Sequence, residues 1–96
     1  MVTKVMSSKG MGILAERAWL NHLKAVGYIG SRSAASLSPV DVWAINKEGI
    51  VRAFQIKRAK YHKYVSTRLS EARKETKGYP IEIKIYCVEH RKWYEF

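Results

Sequence analysis

Cysteine occurs once in the 96 residues, at position 87, so no disulfide can close within the chain. That excludes a small disulfide-stapled domain, and a reducing, cytoplasmic setting is expected. Long apolar runs are missing too. Nothing approaches the roughly 20 residues that span a bilayer, and MVTKVMSSKGMG has no apolar segment of signal-peptide type. No membrane partner is expected. Gly10-Met11-Gly12 lacks the Gly-Lys-Ser/Thr ending of a phosphate-binding loop, so no nucleotide cofactor is expected either. Acidic residues are scarce: 8 Asp and Glu stand against 18 Lys and Arg, for a net charge of +10. On so small a body that surplus attracts polyanions, of which nucleic acid is the commonest; an acidic protein partner stays open. In such a basic chain, a carboxylate at an apolar position needs a physical reason.

What is present fits one domain. Apolar residues make up 47% of the chain, enough for a modest core without crosslinks. Residues 1–9 are small, polar and basic and read as an arm, with 10–96 as the single folded domain. From Gly10 to Val26 the apolar spacing is helical, with Ile13, Leu20, Leu23 and Val26 along one side and Gly27 as the C-cap. Tyr28 to Arg32 reads as a short strand and the Ser-rich Ser33–Pro39 stretch as a loop. Val40–Asn46 and Ile50–Lys57 read as strands of a hairpin closed by Lys47-Glu48-Gly49, where the glycine tolerates positive φ. A second helix is expected over Ser66–Lys77, with Val65, Leu69, Ala72 and Thr76 on one face and Gly78 and Pro80 stopping it. Two strands, Ile81–Val88 and Lys92–Phe96, flank a turn at Glu89-His90-Arg91. This order predicts an α/β domain with a mixed sheet and helices packed on it.

Four residues stand out chemically. Helical spacing puts Glu16 near the Ile13, Leu20 and Leu23 side. The ordinary role of a lone helix Glu is pairing with a nearby Arg or Lys, and the other is to face a ligand. Alternation along the second hairpin strand puts Gln55 and Lys57 on one face, with Phe54 and Ile56 on the other. Counting from an Asn46–Ile50 pair, Asp41 lies opposite Gln55, with Cβ atoms about 4.5–5.5 Å apart. Their oxygens can then share one cation, and Lys57 follows roughly 6.5–7 Å along the strand. Taken singly, Asp41 suits a strand start and Lys57 a solvated strand. Together they form a carboxylate, an amide and an ammonium on one face, with Glu16 as a further carboxylate. Phosphodiester cleavage uses such groups: oxygen ligands hold a magnesium ion that activates water, and an ammonium offsets charge on the phosphate.

Ser38-Pro39-Val40-Asp41 and Phe54-Gln55-Ile56-Lys57, preceded by a helix bearing Ala15-Glu16-Arg17, resemble the PD-(D/E)xK nuclease superfamily. Within it the chain is most similar to the archaeal-type Holliday junction resolvases. The likeness extends through Ser8-Lys9-Gly10, Leu23, Gly27-Tyr28, Arg32 to Ser36 and Gln55 to Arg58. The resemblance implies a restriction-endonuclease-like fold and a homodimer that makes paired nicks in branched DNA. Magnesium, or manganese in its place, would be held by Glu16, Asp41, Gln55 and the backbone carbonyl of Ile56. Lys57 would serve the water, and Ser36 would approach the cleavage site. One departure matters: the family usually has Glu where this chain has Gln55, and an amide brings oxygen but no charge. Three explanations stay open: a tolerated variant, help from another carboxylate such as Glu71, or a protein that binds DNA and cuts poorly or not at all.

Lys57-Arg58-Ala59-Lys60-Tyr61-His62-Lys63-Tyr64 mixes cations with rings directly after the active-site strand. Arg58, Lys60, Tyr61 and Lys63, with Lys9, Arg17 and Arg32, are expected on DNA, the cations at phosphates and the tyrosine at phosphate or a base. The alternative for the stretch is a solvated basic loop. His22, His62 and His90 show no ligand spacing and Cys87 has no companion thiol, so no zinc site is expected. Cys87 alternates with Ile83 and Ile85 and should be buried. Trp43, Trp93, Tyr94 and Phe96 are expected in the core or a subunit interface.

Overall fold

The computed structural model describes residues 8–33 and 38–96, with side chains from Gly12 onward. Helix α1 (Ser8–Ala25) leads to strands β1 (Ile29–Arg32), β2 (Val42–Ile45) and β3 (Val51–Ala59). A 3₁₀ turn (His62–Tyr64) and helix α2 (Val65–Thr76) then connect to β4 (Ile81–Cys87) and β5 (Lys92–Glu95). The strands lie side by side in chain order, antiparallel throughout except for β3 and β4, which run parallel. Parallel neighbours need a crossover, and α2 provides it. The result is the expected α/β domain with a mixed sheet and a helix on each face.

Packing follows the two side-chain periods. Ala15, Trp19, Leu20 and Leu23 of α1 bury against Val42, Ala44, Phe54 and Ile56. On the other face, Val65 and Ala72 of α2 bury against Ala59, Ile83, Ile85 and Cys87, with Leu69 partly buried beside them. The β3 strand is therefore covered on both sides, even-numbered residues toward α1 and odd-numbered toward α2. Each large apolar side chain so buried contributes about 1.5–3 kcal/mol. The α2 face and the buried Cys87 are as read from the sequence. The α1 stripe is rotated: Val26 is exposed, and Trp19 takes the central place. Trp43 and Phe96 are largely exposed, contrary to a core role, because Trp43 alternates away from Val42 and Ala44 and Phe96 follows the last strand residue. Trp93 packs on the α1 cluster and Tyr94 on the α2 cluster.

Local chemistry sets the element ends. Gly27, at φ +98°, ends α1: its N–H donates to the Lys24 carbonyl, and the Tyr28 N–H to the Leu23 carbonyl. These paired bonds satisfy the helix's last carbonyls, and the left-handed φ suits glycine. The 47–49 loop closes as expected, with Gly49 at φ +84° and Asn46 Oδ1 accepting from the N–H groups of Glu48 and Ile50. Gly30 pairs with Ala44, and a Cβ there would meet the Trp43 carbonyl oxygen and come within 2.7 Å of the Ala44 Cα.

Several boundaries differ from the sequence reading. Helix α1 takes in Ser8 and Lys9 from the expected arm, because apolar periodicity starts only at Ile13 and gives no sign of the first turn. Residues 1–7 lie outside the described residues. The β3 strand runs two residues past Lys57, held by its parallel pairing with β4 as far as Ala59 and Cys87. No helix among the described residues is long and apolar enough to cross a membrane.

Candidate active site

Asp41 immediately precedes β2, where β2 and β3 part. Regular pairing ends at Val42 and Phe54, and the Asp41 N–H donates to the Phe54 carbonyl at 2.8 Å. The expected register therefore holds up to the last pair but not at Asp41 itself, whose main chain bonds one residue short of Gln55. The Asp41 carbonyl also accepts from the Ser33 N–H at 2.9 Å. So anchored, Asp41 extends its carboxylate along the free edge of β3, where Oδ2 accepts from the Ile56 N–H at 2.7 Å. In a strand the N–H and carbonyl of one residue point to the same side. The Ile56 carbonyl therefore lies on this same edge.

Gln55 and Lys57 share the α2 face of β3, as alternation requires, and both meet Glu75. The Gln55 amide donates through Nε2 to Glu75 Oε2 at 2.5 Å, while Lys57 Nζ lies 3.2 and 3.3 Å from the two Glu75 oxygens. Gln55 is only 3% exposed, and its Oε1 is buried without a hydrogen-bond partner among the described residues. Because Nε2 must face the carboxylate, the amide cannot flip to relieve that oxygen without setting oxygen against oxygen.

Glu16 is half-buried on α1 and pairs with Arg32 Nε at 3.1 Å. Burial pushes the Asp41 carboxyl above its ordinary range. The Ile56 N–H opposes the shift, the negative charges of Glu16 and Glu75 add to it, and Lys57 opposes it. Asp41 thus feels both glutamates, from opposite sides of the sheet. Among the described residues, no three His, Cys, Asp or Glu side chains gather closely enough to form a metal-holding group on their own. Glu71, the nominated extra carboxylate, pairs instead with Arg68 at 3.1 Å, and Glu75 one turn later is the acid that reaches the site. The signal was the i, i+4 spacing of the two glutamates, which puts both on one side of α2.

A cleft of about 300 Å³ opens beside Lys57, lined by Gly12, Ile56, Arg58, Arg68 and Glu71. Beyond it, Tyr61 and Tyr64 are 42% exposed, with the Lys63 ammonium 5.9 and 5.2 Å from their ring centres and Lys60 5.6 Å from Tyr61. The stretch after β3 is thus a 3₁₀ turn presenting rings and cations to solvent. His62 and His90, distant in sequence, stack at 4.7 Å. Arg17 is exposed on α1, whereas Arg32 is engaged with Glu16. Ser36 and the Lys9 side chain lie outside the described residues.

Comparison with family models, with curated proteins and with solved structures returns no match to this chain.

Proposed function

We propose that this protein is a metal-dependent DNA endonuclease of restriction-endonuclease-like fold that acts on branched DNA, resolving four-way junctions as a dimer. The observation that carries the reading is the cluster at the β2–β3 parting. There an anchored Asp41 carboxylate, a buried Gln55 with an unsatisfied oxygen, and the Lys57 ammonium stand along one strand. The net charge of +10 and the cationic cleft beside Lys57 suit a phosphodiester ligand.

The donor set fits a divalent cation of the magnesium type. Its atoms are oxygens, one is buried and without a partner among the described residues, and a cation would offset both the burial of the Asp41 carboxyl, the main cause of its raised pKa, and the lesser repulsion from Glu16 and Glu75. Asp41, the Gln55 amide oxygen, the Ile56 carbonyl and Glu16 would hold it. When bound, such an ion would supply an activated water and screen the phosphate oxygens. Lys57 would orient a water and offset charge on the phosphate. Arg58 and Arg68 hold the phosphodiester in the cleft. Lys60, Lys63 and the two tyrosines engage the strand beyond it. A two-fold dimer would present two equivalent sites for paired cuts.

A binding-only role is the second reading, favoured by the amide at position 55 and the pairing of Glu16 with Arg32. Incubation with an end-labelled four-way junction, with and without magnesium or manganese, separates the two. Paired metal-dependent nicks are expected; a salt-sensitive mobility shift with no cleavage under either metal would leave only the binding role.

A further inference from the structure

Position 55 lacks the charge that the proposed metal site needs, and the structure brings a carboxylate to it from elsewhere in the chain. Resting on the nuclease reading above, we propose that Glu75 on α2 is a ligand of the catalytic cation and supplies the negative charge that Gln55 does not.

Three observations support this. Glu75 lies 20 residues from Gln55 in sequence, yet its Oε2 is 2.5 Å from the Gln55 amide nitrogen, so the two side chains occupy one site. The other amide atom of Gln55 is buried with no hydrogen-bond partner among the described residues, a penalty that a bound ligand would relieve. The Glu75 carboxylate is not saturated by the described residues. Lys57 stands at 3.2 and 3.3 Å, long for an ion-paired ammonium, and half of the Glu75 side chain is exposed. A carboxylate has about four lone-pair directions, and these contacts use three. Glu75 thus sits between the position whose charge is missing and the lysine that would serve the water.

The chemistry is conservative. In the usual arrangement one side chain at position 55 provides both an oxygen and a charge. Here the two tasks are divided, with the amide oxygen of Gln55 coming from β3 and the charge from the crossover helix. The total charge of the donor set is then unchanged, and so is its preference for hard divalent cations.

Manganese binding to the full-length protein without DNA tests this, read by the loss of free Mn²⁺ signal in electron paramagnetic resonance. Glu75→Gln keeps an oxygen for Gln55 and removes only the charge, and should weaken Mn²⁺ binding roughly 10-fold or more. The double variant Gln55→Glu/Glu75→Gln returns the charge to β3 and should restore affinity to near that of the unaltered chain. Unchanged Mn²⁺ binding by Glu75→Gln, alongside loss in Asp41→Asn, would overturn the role of Glu75 and leave the nuclease reading standing. Failure of the double variant to recover would likewise assign Glu75 a purely structural part. An unaltered chain that binds no Mn²⁺, or binds it equally well with Asp41→Asn, would remove both readings. Should Glu75→Gln fail to fold, as judged by circular dichroism, the double variant alone carries the test: Mn²⁺ affinity near that of the unaltered chain supports the proposal, and its loss overturns it.

Discussion

The Ile56 amide donates to Asp41 Oδ2 at 2.7 Å, fastening the acid to the strand that bears Gln55 and Lys57. Asparagine at position 41 can still accept this bond through its own oxygen, so the fold should survive the change while the charge is lost. Asp41→Asn is expected to abolish metal-dependent cleavage of a four-way junction and leave junction binding in a mobility-shift assay largely intact. Equal loss of both would contradict a role in chemistry.

Among the described residues, Lys57 makes its side-chain polar contacts with Glu75 alone, and it belongs to neither apolar cluster. Lys57→Met should therefore lower the cleavage rate about 100-fold or more while the melting temperature moves little. Single-turnover kinetics alongside thermal denaturation checks both halves; a large fall in stability would assign Lys57 to the scaffold.

Gln55→Glu sets a new carboxylate against Glu75 in a buried place. Like charges so close destabilise each other, so the variant should melt at lower temperature than the unaltered chain in the absence of metal. Adding Mn²⁺ should raise its melting temperature by more than that of the unaltered protein. The same rise in both would mean that position 55 lies outside the metal site.

Lys60 and Lys63 stand over the exposed Tyr61 ring just past β3. Replacing either with alanine should weaken duplex and junction binding alike and reduce the salt dependence of affinity by about one unit of slope. A change confined to one DNA structure would show that these lysines read shape and not phosphate.

Arg52 holds Glu82 through two bonds of 2.7 Å, and this hydrogen bonding holds the Glu82 carboxyl below its ordinary range, against some desolvation. A depressed carboxyl stabilises the fold fully above the unfolded-state value, and the benefit disappears as pH falls through the folded-state value. Both side chains are about a third exposed, so the pair contributes roughly 1 kcal/mol or less. Arg52→Met should bring acid unfolding to a higher pH, seen by circular dichroism across a pH series. An unchanged acid midpoint would show the pair to be neutral.

Much of this arrangement could be read from residue order. The Lys47-Glu48-Gly49 turn set the hairpin, and alternation from it put Gln55 and Lys57 together on the correct face. The α2 stripe of Val65, Ala72 and Thr76 was equally legible, because only one helical phase buries all three. The identity of the acid on that helix was not. Glu71 and Glu75 share a side of α2, and the choice between them depends on how far the helix slides along the sheet. The link from β3 to α2 includes the His62–Tyr64 turn, which the loop-like composition hid. That Glu16 pairs with a basic side chain was the ordinary expectation and is what the structure shows; that the partner is Arg32 was hidden, since it depends on where β1 is laid beside α1. Gly30 gave no pattern signal, as the close approach of Trp43 that requires it exists only after pairing.

Because β3 presents different side chains on its two faces, the three-residue turn before it sets which of them Asp41 meets. Deleting one residue from Lys47–Gly49 could slide the ribbon by a single step. Asp41 would then confront a strand offering Ile56 and Arg58 where Gln55 and Lys57 belong. The length of that solvent-exposed bend thus acts as a gauge block for which face of β3 meets Asp41.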